Sequence, residues 1–307
     1  MSDNVKLNKK HKESFMRKSL KESRAISFAT IFFIYILAAA VGIIVYYFLP
    51  LYIHFAFRLF IADFAATVFV FIFSVILKNA SVYDPYWSVQ PIVIAAAYFV
   101  RFGFSVSALF PLIAVCLWGV RLTANWAYTF KNLTCQDWRY SLLKEQSGKW
   151  YPLVNFIGIH LVPTIVVYAC ILPVTFIITE RPAFNAISLI FFAVSVCAML
   201  LQLVADTEMH AYRENRPTPF IGTGLWKYSR HPNYLGEILM WWGIGFYAFT
   251  LMTDKWYLLL GALLNTVLFL VVSIPMADRR QAQKEGFDEY KSRTRILLPL
   301  PKRAADK

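Results

Sequence analysis

Gly222-Thr-Gly-Leu-Trp-Lys-Tyr-Ser-Arg-His-Pro-Asn-Tyr-Leu-Gly-Glu-Ile-Leu-Met-Trp-Trp242 is a polar, glycine-bearing turn that runs straight into an apolar helix. Pro232 suits the first helical position, where a missing N–H costs nothing. From there Asn233, Glu237 and Trp241 fall at i, i+4 and i+8, on one face. An amide and a carboxylate on the opening turns of a membrane helix are costly unless they meet protein, water or ligand. Lys227, Arg230 and His231 stand just before them, and cations beside a helix N-terminus favour an anion such as phosphate. A positively flanked helix start with interfacial Trp241 and Trp242 accounts for the cations. It does not account for Asn233 and Glu237 together.

Outward from this stretch the chain reads as membrane protein. Hydrophobic residues make up 58% and charged residues 16% of 307 residues, which excludes an ordinary soluble domain. The formal charge of +13 invites a nucleic-acid partner, but its distribution argues for none. Eight apolar segments lie at about 28–49, 59–77, 87–100, 104–121, 153–178, 184–204, 233–252 and 256–275. A span needs roughly 17–25 residues. The third segment is short and carries Pro91, so the expected fold is an all-α integral membrane bundle of about eight (7–8) transmembrane helices with no soluble domain. Of the 31 Lys and Arg, all but Arg58, Arg101, Arg181 and Lys255 fall in the two ends and alternate loops, as the positive-inside rule requires of cytoplasmic ends. The first apolar run lacks a small-residue cleavage site, so a cleaved signal is not expected. No cysteine spacing suggests zinc or a disulfide framework, and no metal site is expected.

Four further polar groups fall on the same expected side. Asp84-Pro-Tyr86-Trp87 combines a turn signal with a good N-cap. Arg121 closes the fourth segment, with Asn125 one turn on. It either snorkels or meets an anion. Gln202, Asp206, Met209 and Arg213 lie at i, i+4, i+7 and i+11, one stripe of the sixth helix. Asp206 in this stripe either accepts paired hydroxyls or amide protons of a ligand, or simply pairs with Arg213. Asp278-Arg279-Arg280 and Tyr290-Lys-Ser-Arg293 follow the last segment, where a guanidinium matches a phosphate bidentately. No Gly-x-Gly-x-x-Gly or Walker loop is present.

The run Gly224-Leu-Trp-Lys-Tyr-Ser-Arg-His-Pro-Asn-Tyr-Leu-Gly-Glu237 resembles the hallmark of the DUF1295 family, membrane proteins related to the C-terminal domain of steroid 5-alpha-reductase. The likeness extends from about Asp84 to Arg295 and divides the chain into a basic tail at 1–27, N-terminal transmembrane helices at 28–80, a steroid-reductase-like membrane domain at 81–300 and a tail at 301–307. It implies an NADPH-dependent oxidoreductase that reduces an activated C=C bond of a sterol-like or isoprenoid lipid. The implied catalytic residues are Glu237, Asp84 and Tyr86. The implied cofactor contacts are Arg121, Gln202, Asp206, Arg213, Lys227, Arg230, His231, Asn233, Tyr234, Arg279, Arg280, Tyr290 and Arg293. Three residues before Arg121, the steroid reductases carry a Tyr that polarises the substrate ketone. Trp118 stands here instead, which argues against a 3-oxo-steroid substrate. The shorter Arg-His-Pro-x-Tyr also resembles isoprenylcysteine carboxyl and phospholipid methyltransferases, so an S-adenosylmethionine-dependent lipid methyltransferase is the alternative. A non-catalytic membrane protein is third.

Reporters fused at Met1 and after Lys307 are both expected to read cytoplasmic. Opposite readings for the two ends would require an odd number of spans.

Overall fold

In the computed structural model of the chain, residues 21–300 are described. Most of the basic tail at 1–27 and all of the tail at 301–307 lie outside them. Every regular element among the described residues is helical, apart from one isolated parallel bridge between Ser229 and Arg295. Each of the eight apolar segments is helical. Six helical stretches are long and apolar enough to cross a membrane: 24–48, 55–76, 106–129, 138–180, 188–215 and 253–281. This makes the chain an all-helical membrane protein. Two units divide it: residues 1–90 with 122–165, and residues 91–121 with 166–307.

The first unit begins with α1 (Arg24–Phe48), started by the Ser23 hydroxyl accepting the Ile26 N–H, and α2 (Phe55–Ile76), joined by a short connection. Gly42 lets α1 lie against the backbone of Ala62 and the side chain of Ala66. Ile31, Ile34, Ala38, Ala66 and Val70 fill the interface with Val82, Tyr83, Tyr86, Phe130 and Leu133. A one-turn 3₁₀ helix at Ala80–Tyr83 leads into α3 (Tyr86–Phe102). This turn is stitched to the 132–140 loop. The Asn79 amide donates to the carbonyls of Leu133 and Cys135 at 2.8 and 3.0 Å. The Ala80 N–H reaches Gln136 at 3.0 Å, and the Asp137 N–H reaches the Ser81 hydroxyl at 2.9 Å. These bonds pair backbone groups of both segments that regular secondary structure leaves unpaired. Beyond the loop come α5 (Trp138–Ser147), α6 (Tyr151–Val154), a π-helical segment at Asn155–Leu161 and α7 (Val162–Glu180).

Pro91 does not break the third segment. It lies inside α3, and the turn comes at Gly103, whose φ of +79° only glycine adopts without strain. α4 (Val106–Thr129) follows and carries Trp118 and Arg121 into the second unit.

In the second unit α8 (Ser188–Asn215) and α9 (Pro232–Leu251) form the most extensive pairing. Glycine makes it possible. A Cβ at Gly236 would sit 2.6 Å from the Ala198 carbonyl oxygen, and one at Gly243 would sit 2.8 Å from that of Phe191. Two glycines seven residues apart therefore bring the helices into backbone contact. α10 (Leu260–Leu268) packs Gly261 on the backbone of Ala169 in α7. A π-helical turn at Phe269–Ser273, α11 (Ile274–Gln281) and α12 (Phe287–Arg293) complete the chain.

Gly236→Ala and Gly243→Ala are each expected to destabilise the detergent-solubilised protein by about 1–3 kcal/mol, the cost of overpacking. Gly158→Ala meets nothing nearer than 3.9 Å and serves as the control. Thermal unfolding of the three variants side by side checks this, and equal stabilities would contradict the close approach.

Candidate functional site

The turn before α9 is built onto α8 and the C-terminal segment. Gly224 has φ +56°, and a Cβ there would collide with the Glu208 carboxylate. That carboxylate accepts the Leu225 N–H at 2.9 and 3.2 Å, so glycine serves both the turn and the cap. The Trp226 indole N–H donates to the Ala205 carbonyl at 3.2 Å. Pro232 occupies the first helical position, as its chemistry demands.

Arg230 and His231 converge on one carboxylate. Arg230 donates to Asp278 Oδ2 at 2.9 Å and to the Thr294 carbonyl at 2.8 Å, and His231 Nε2 lies 2.9 Å from Asp278 Oδ1. The C-terminal segment closes over the same turn. The backbone N–H groups of Arg230 and His231 donate to the carbonyls of Arg295 and Ile296, and the Tyr290 hydroxyl donates to the Trp226 carbonyl at 2.5 Å. Burial pushes the Tyr290 phenol up to about 12, with Asp278 adding to the shift and Arg230 opposing it. Tyr234 stacks on the His231 imidazole at 5.1 Å and 4°. Arg230, His231, Tyr234 and Tyr290 thus share one assembly, organised by Asp278. Sequence reading noted Asp278 only as the start of a basic run.

One turn further along α9, Glu237 is 4% exposed and surrounded by donors. Its Oε1 accepts the indole N–H groups of Trp118 and Trp241, both at 3.0 Å. Its Oε2 accepts Trp118 at 2.8 Å and the Gln202 amide at 3.0 Å. Arg121 Nη2 stands 4.0 Å from Oε2, while Arg121 Nη1 pairs with Asp206 at 2.6 Å. Three helices, α4, α8 and α9, meet here, and Trp118 and Glu237 are 119 residues apart in sequence. Two buried atoms of this group have no hydrogen-bond partner: Gln202 Oε1 and Arg121 Nε. A buried unpaired polar atom costs roughly 1–3 kcal/mol.

The α8 stripe is as its spacing requires, and its burial is graded. Gln202 is 1% exposed, the Asp206 side chain 14%, Met209 is half-buried against the Trp226 cluster and Arg213 is exposed, and His210, next to Met209, is half-buried. From the interior outward the polar groups change from an amide to a carboxylate, an imidazole and a guanidinium.

Among the described residues, the remaining candidates of the second unit take no part in the hydrogen bonds around Glu237. Asn233 is half-buried and its side-chain oxygen accepts the Tyr234 N–H at 3.1 Å. Lys227 is exposed over the Tyr228 ring, and Arg293 is exposed beside Glu289. Arg279 and Arg280 are exposed at the end of α11. Asp84 and Tyr86 belong to the first unit and have partners there. Asp84 accepts from the Tyr140 hydroxyl at 2.5 Å and follows the 3₁₀ turn as its C-cap, not as the N-cap that Asp-Pro suggested. Burial pushes its carboxyl up to about 6, with Arg139 opposing and Asp137 adding to the shift. Tyr86 donates to Asp63, a buried carboxylate in the middle of α2 that sequence reading missed. A lone acid in that otherwise apolar run was the available signal. Among the described residues no group of three or more His, Cys, Asp or Glu could hold a metal ion.

Glu237→Ala strips the acceptor from three buried N–H donors and leaves Arg121 with one carboxylate. It is expected to cost about 3–5 kcal/mol, as for other broken buried charge networks. Glu237→Gln keeps an acceptor and should cost less. Thermal unfolding of both variants checks the order, and an Ala variant as stable as the parent would contradict the role of Glu237 as hub.

Comparison with known proteins identifies a family. Residues 70–294 match the family described as a protein of unknown function, DUF1295. The chain is 26% identical to an uncharacterized protein of Schizosaccharomyces pombe, over 71% of this chain and 70% of that protein. No solved structure matches. With the matched region spanning well over half of its length, including Trp118, Gln202, Asp206, Glu237 and Asp278, the chain belongs to the DUF1295 family.

Proposed function

We propose that the protein is a membrane oxidoreductase that uses NADPH to reduce an activated C=C bond of a sterol-like or isoprenoid lipid. The observation that carries this reading is the graded stripe on α8, together with the unpaired Gln202 Oε1 at its buried end. A dinucleotide presents an amide at one end, ribose hydroxyls in the middle and phosphates beyond, the same order of chemistry. Gln202 is held by Glu237 through its N–H, which leaves its oxygen to accept a carboxamide proton. Asp206 accepts ribose hydroxyls while Arg121 balances its charge. Arg213, Arg279 and Arg280 meet phosphate, and Asn233 adds a second amide at the start of α9. When bound, the reduced nicotinamide supplies a hydride. The Trp118 N–H already serves Glu237, so it offers no donor to a ketone, in keeping with a substrate other than a 3-oxo steroid. The relation of the DUF1295 family, whose hallmark the 224–237 run resembles, to the steroid 5-alpha-reductases supports the same choice. We place this turn and both ends of the chain on the cytoplasmic side, on the charge distribution, with α3 and α9 completing eight spans.

NADPH at a hundredfold excess over its dissociation constant should stabilise the detergent-solubilised protein by about 2.7 kcal/mol. Asp206→Ala and Asn233→Ala should fold but lose that stabilisation. S-adenosylmethionine serves as the competing ligand. Stabilisation by it in place of NADPH would overturn the reading in favour of a methyltransferase. NADPH binding undisturbed in both variants would place the cofactor elsewhere.

A further inference from the structure

The C-terminal segment of the second unit has two faces. Its inner face closes on the turn before α9, where Phe287, Tyr290 and Thr294 are buried. The Thr294 hydroxyl donates to the Lys227 carbonyl and the Ser229 hydroxyl to the Ile296 carbonyl, both at 3.3 Å. The His231 N–H donates to that same Ile296 carbonyl at 3.2 Å, and the Arg230 N–H to the Arg295 carbonyl at 3.0 Å. Every one of these bonds ends on main chain, so the segment fixes the backbone of the turn.

The outer face suits different surroundings. Ile296, Leu298 and Leu300 are 45%, 56% and 54% exposed. They follow the apolar stretch that ends at Gln281 and lie at the end of the unit where the stretch ending at Asn215 also stops. Asp278 and Glu208, near those two ends, both bond the turn. Three large apolar side chains in five residues, outside those stretches, form a patch that water does not favour. Pro299 and Pro301 have no N–H, and the Leu300 N–H between them donates to the Leu298 carbonyl at 2.8 Å. Residues 299–301 therefore carry no free backbone donor, which suits contact with hydrocarbon and disfavours β-pairing with another chain. Charge frames the patch. Lys291, Arg293 and Arg295 precede it, Lys302 and Arg303 follow it, and no Asp or Glu lies between 290 and 305. Arg293 and Glu289, 3.5 Å apart, are both exposed, so that pair takes little of the charge. Apolar side chains framed by cations match the interface of an anionic bilayer, with acyl chains below and phosphates above.

We propose that residues 291–300 bind an anionic lipid surface and strap the turn at 224–231 to it. Ile296, Leu298 and Leu300 enter the acyl boundary, and the flanking Lys and Arg meet the headgroups. Ile296 joins the two faces, because its side chain meets lipid while its carbonyl holds His231 and Ser229. Lipid charge is thereby felt at the start of α9. The strap needs no cofactor and is independent of the reductase reading.

Reconstitution of the full chain in bilayers of phosphatidylcholine, alone or mixed with phosphatidylserine, tests both halves. In Leu298→Trp the emission added over the parent should be quenched by lipids brominated on their acyl chains, and more strongly in the phosphatidylserine mixture. Quenching by aqueous acrylamide in its place would show that the segment faces water, and shielding from both quenchers would show that protein covers it. Either result overturns the proposal. Equal quenching in the two bilayers would overturn the anionic partner. Amide hydrogen exchange of the peptide that contains Arg230 and His231 reads the strap. It should be several-fold slower in the phosphatidylserine mixture than in phosphatidylcholine alone. That difference should vanish in Leu298→Asp combined with Leu300→Asp, and also in Arg293→Gln combined with Lys302→Gln and Arg303→Gln. Exchange that ignores lipid charge in the parent, or a difference that survives in both variants, would overturn the link between lipid and turn.

Discussion

A buried carboxylate that receives three N–H donors is the constraint on which the second unit depends. Glu237 cannot be left unpaired at 4% exposure, and its partners come from α4, α8 and α9 itself. Each bond to a charged acceptor contributes roughly 1.5–3 kcal/mol. The arrangement also fixes orientation. Because Gln202 gives its N–H to Glu237, its oxygen must face the other way. Because Arg121 leans on both Glu237 and Asp206, its guanidinium bridges two carboxylates. Glu237 therefore acts by aiming its neighbours, and its own oxygens have little capacity left for a ligand.

The glycines of α9 serve the same end. Gly236 sits immediately before Glu237 and lies against Gln202 and the Ala198 carbonyl. Close backbone approach at that level is what brings the Gln202 amide within 3.0 Å of the carboxylate. The turn at 224–231 is held from two sides, by Glu208 and Ala205 of α8 and by Asp278, Thr294 and Arg295 of the C-terminal segment. Much of the positive charge that reads as an anion site in the sequence is thus structural: Arg230 and His231 face Asp278, while Arg213, Arg279 and Arg280 stay exposed.

The helices were legible because apolar runs of sufficient length have one outcome in a bilayer. Their ends were not. The segment at 184–204 continues to Asn215, and that at 104–121 to Thr129, since a helix can leave the apolar region without unwinding. This extension carries Asp206 on helix rather than loop. The i, i+4 spacing of Gln202 and Asp206, and of Glu237 and Trp241, placed each pair correctly. The contact of Trp118 with Glu237 was out of reach, because no local pattern relates residues 119 apart. Asp63 was overlooked in a run whose hydropathy hid it, and Asp278 was masked by the two arginines that follow.

The central claim is that Glu237 governs ligand binding through Gln202 and not by contact. A double-mutant cycle on NADPH affinity, with Glu237→Gln, Gln202→Ala and the double variant, tests it most directly. Coupled residues of one network typically show interaction energies of about 0.5–3 kcal/mol. The double variant should lose no more affinity than the worse single variant. Losses that simply add would show that Glu237 and Gln202 act on the ligand separately, and the hub would then be a feature of stability alone.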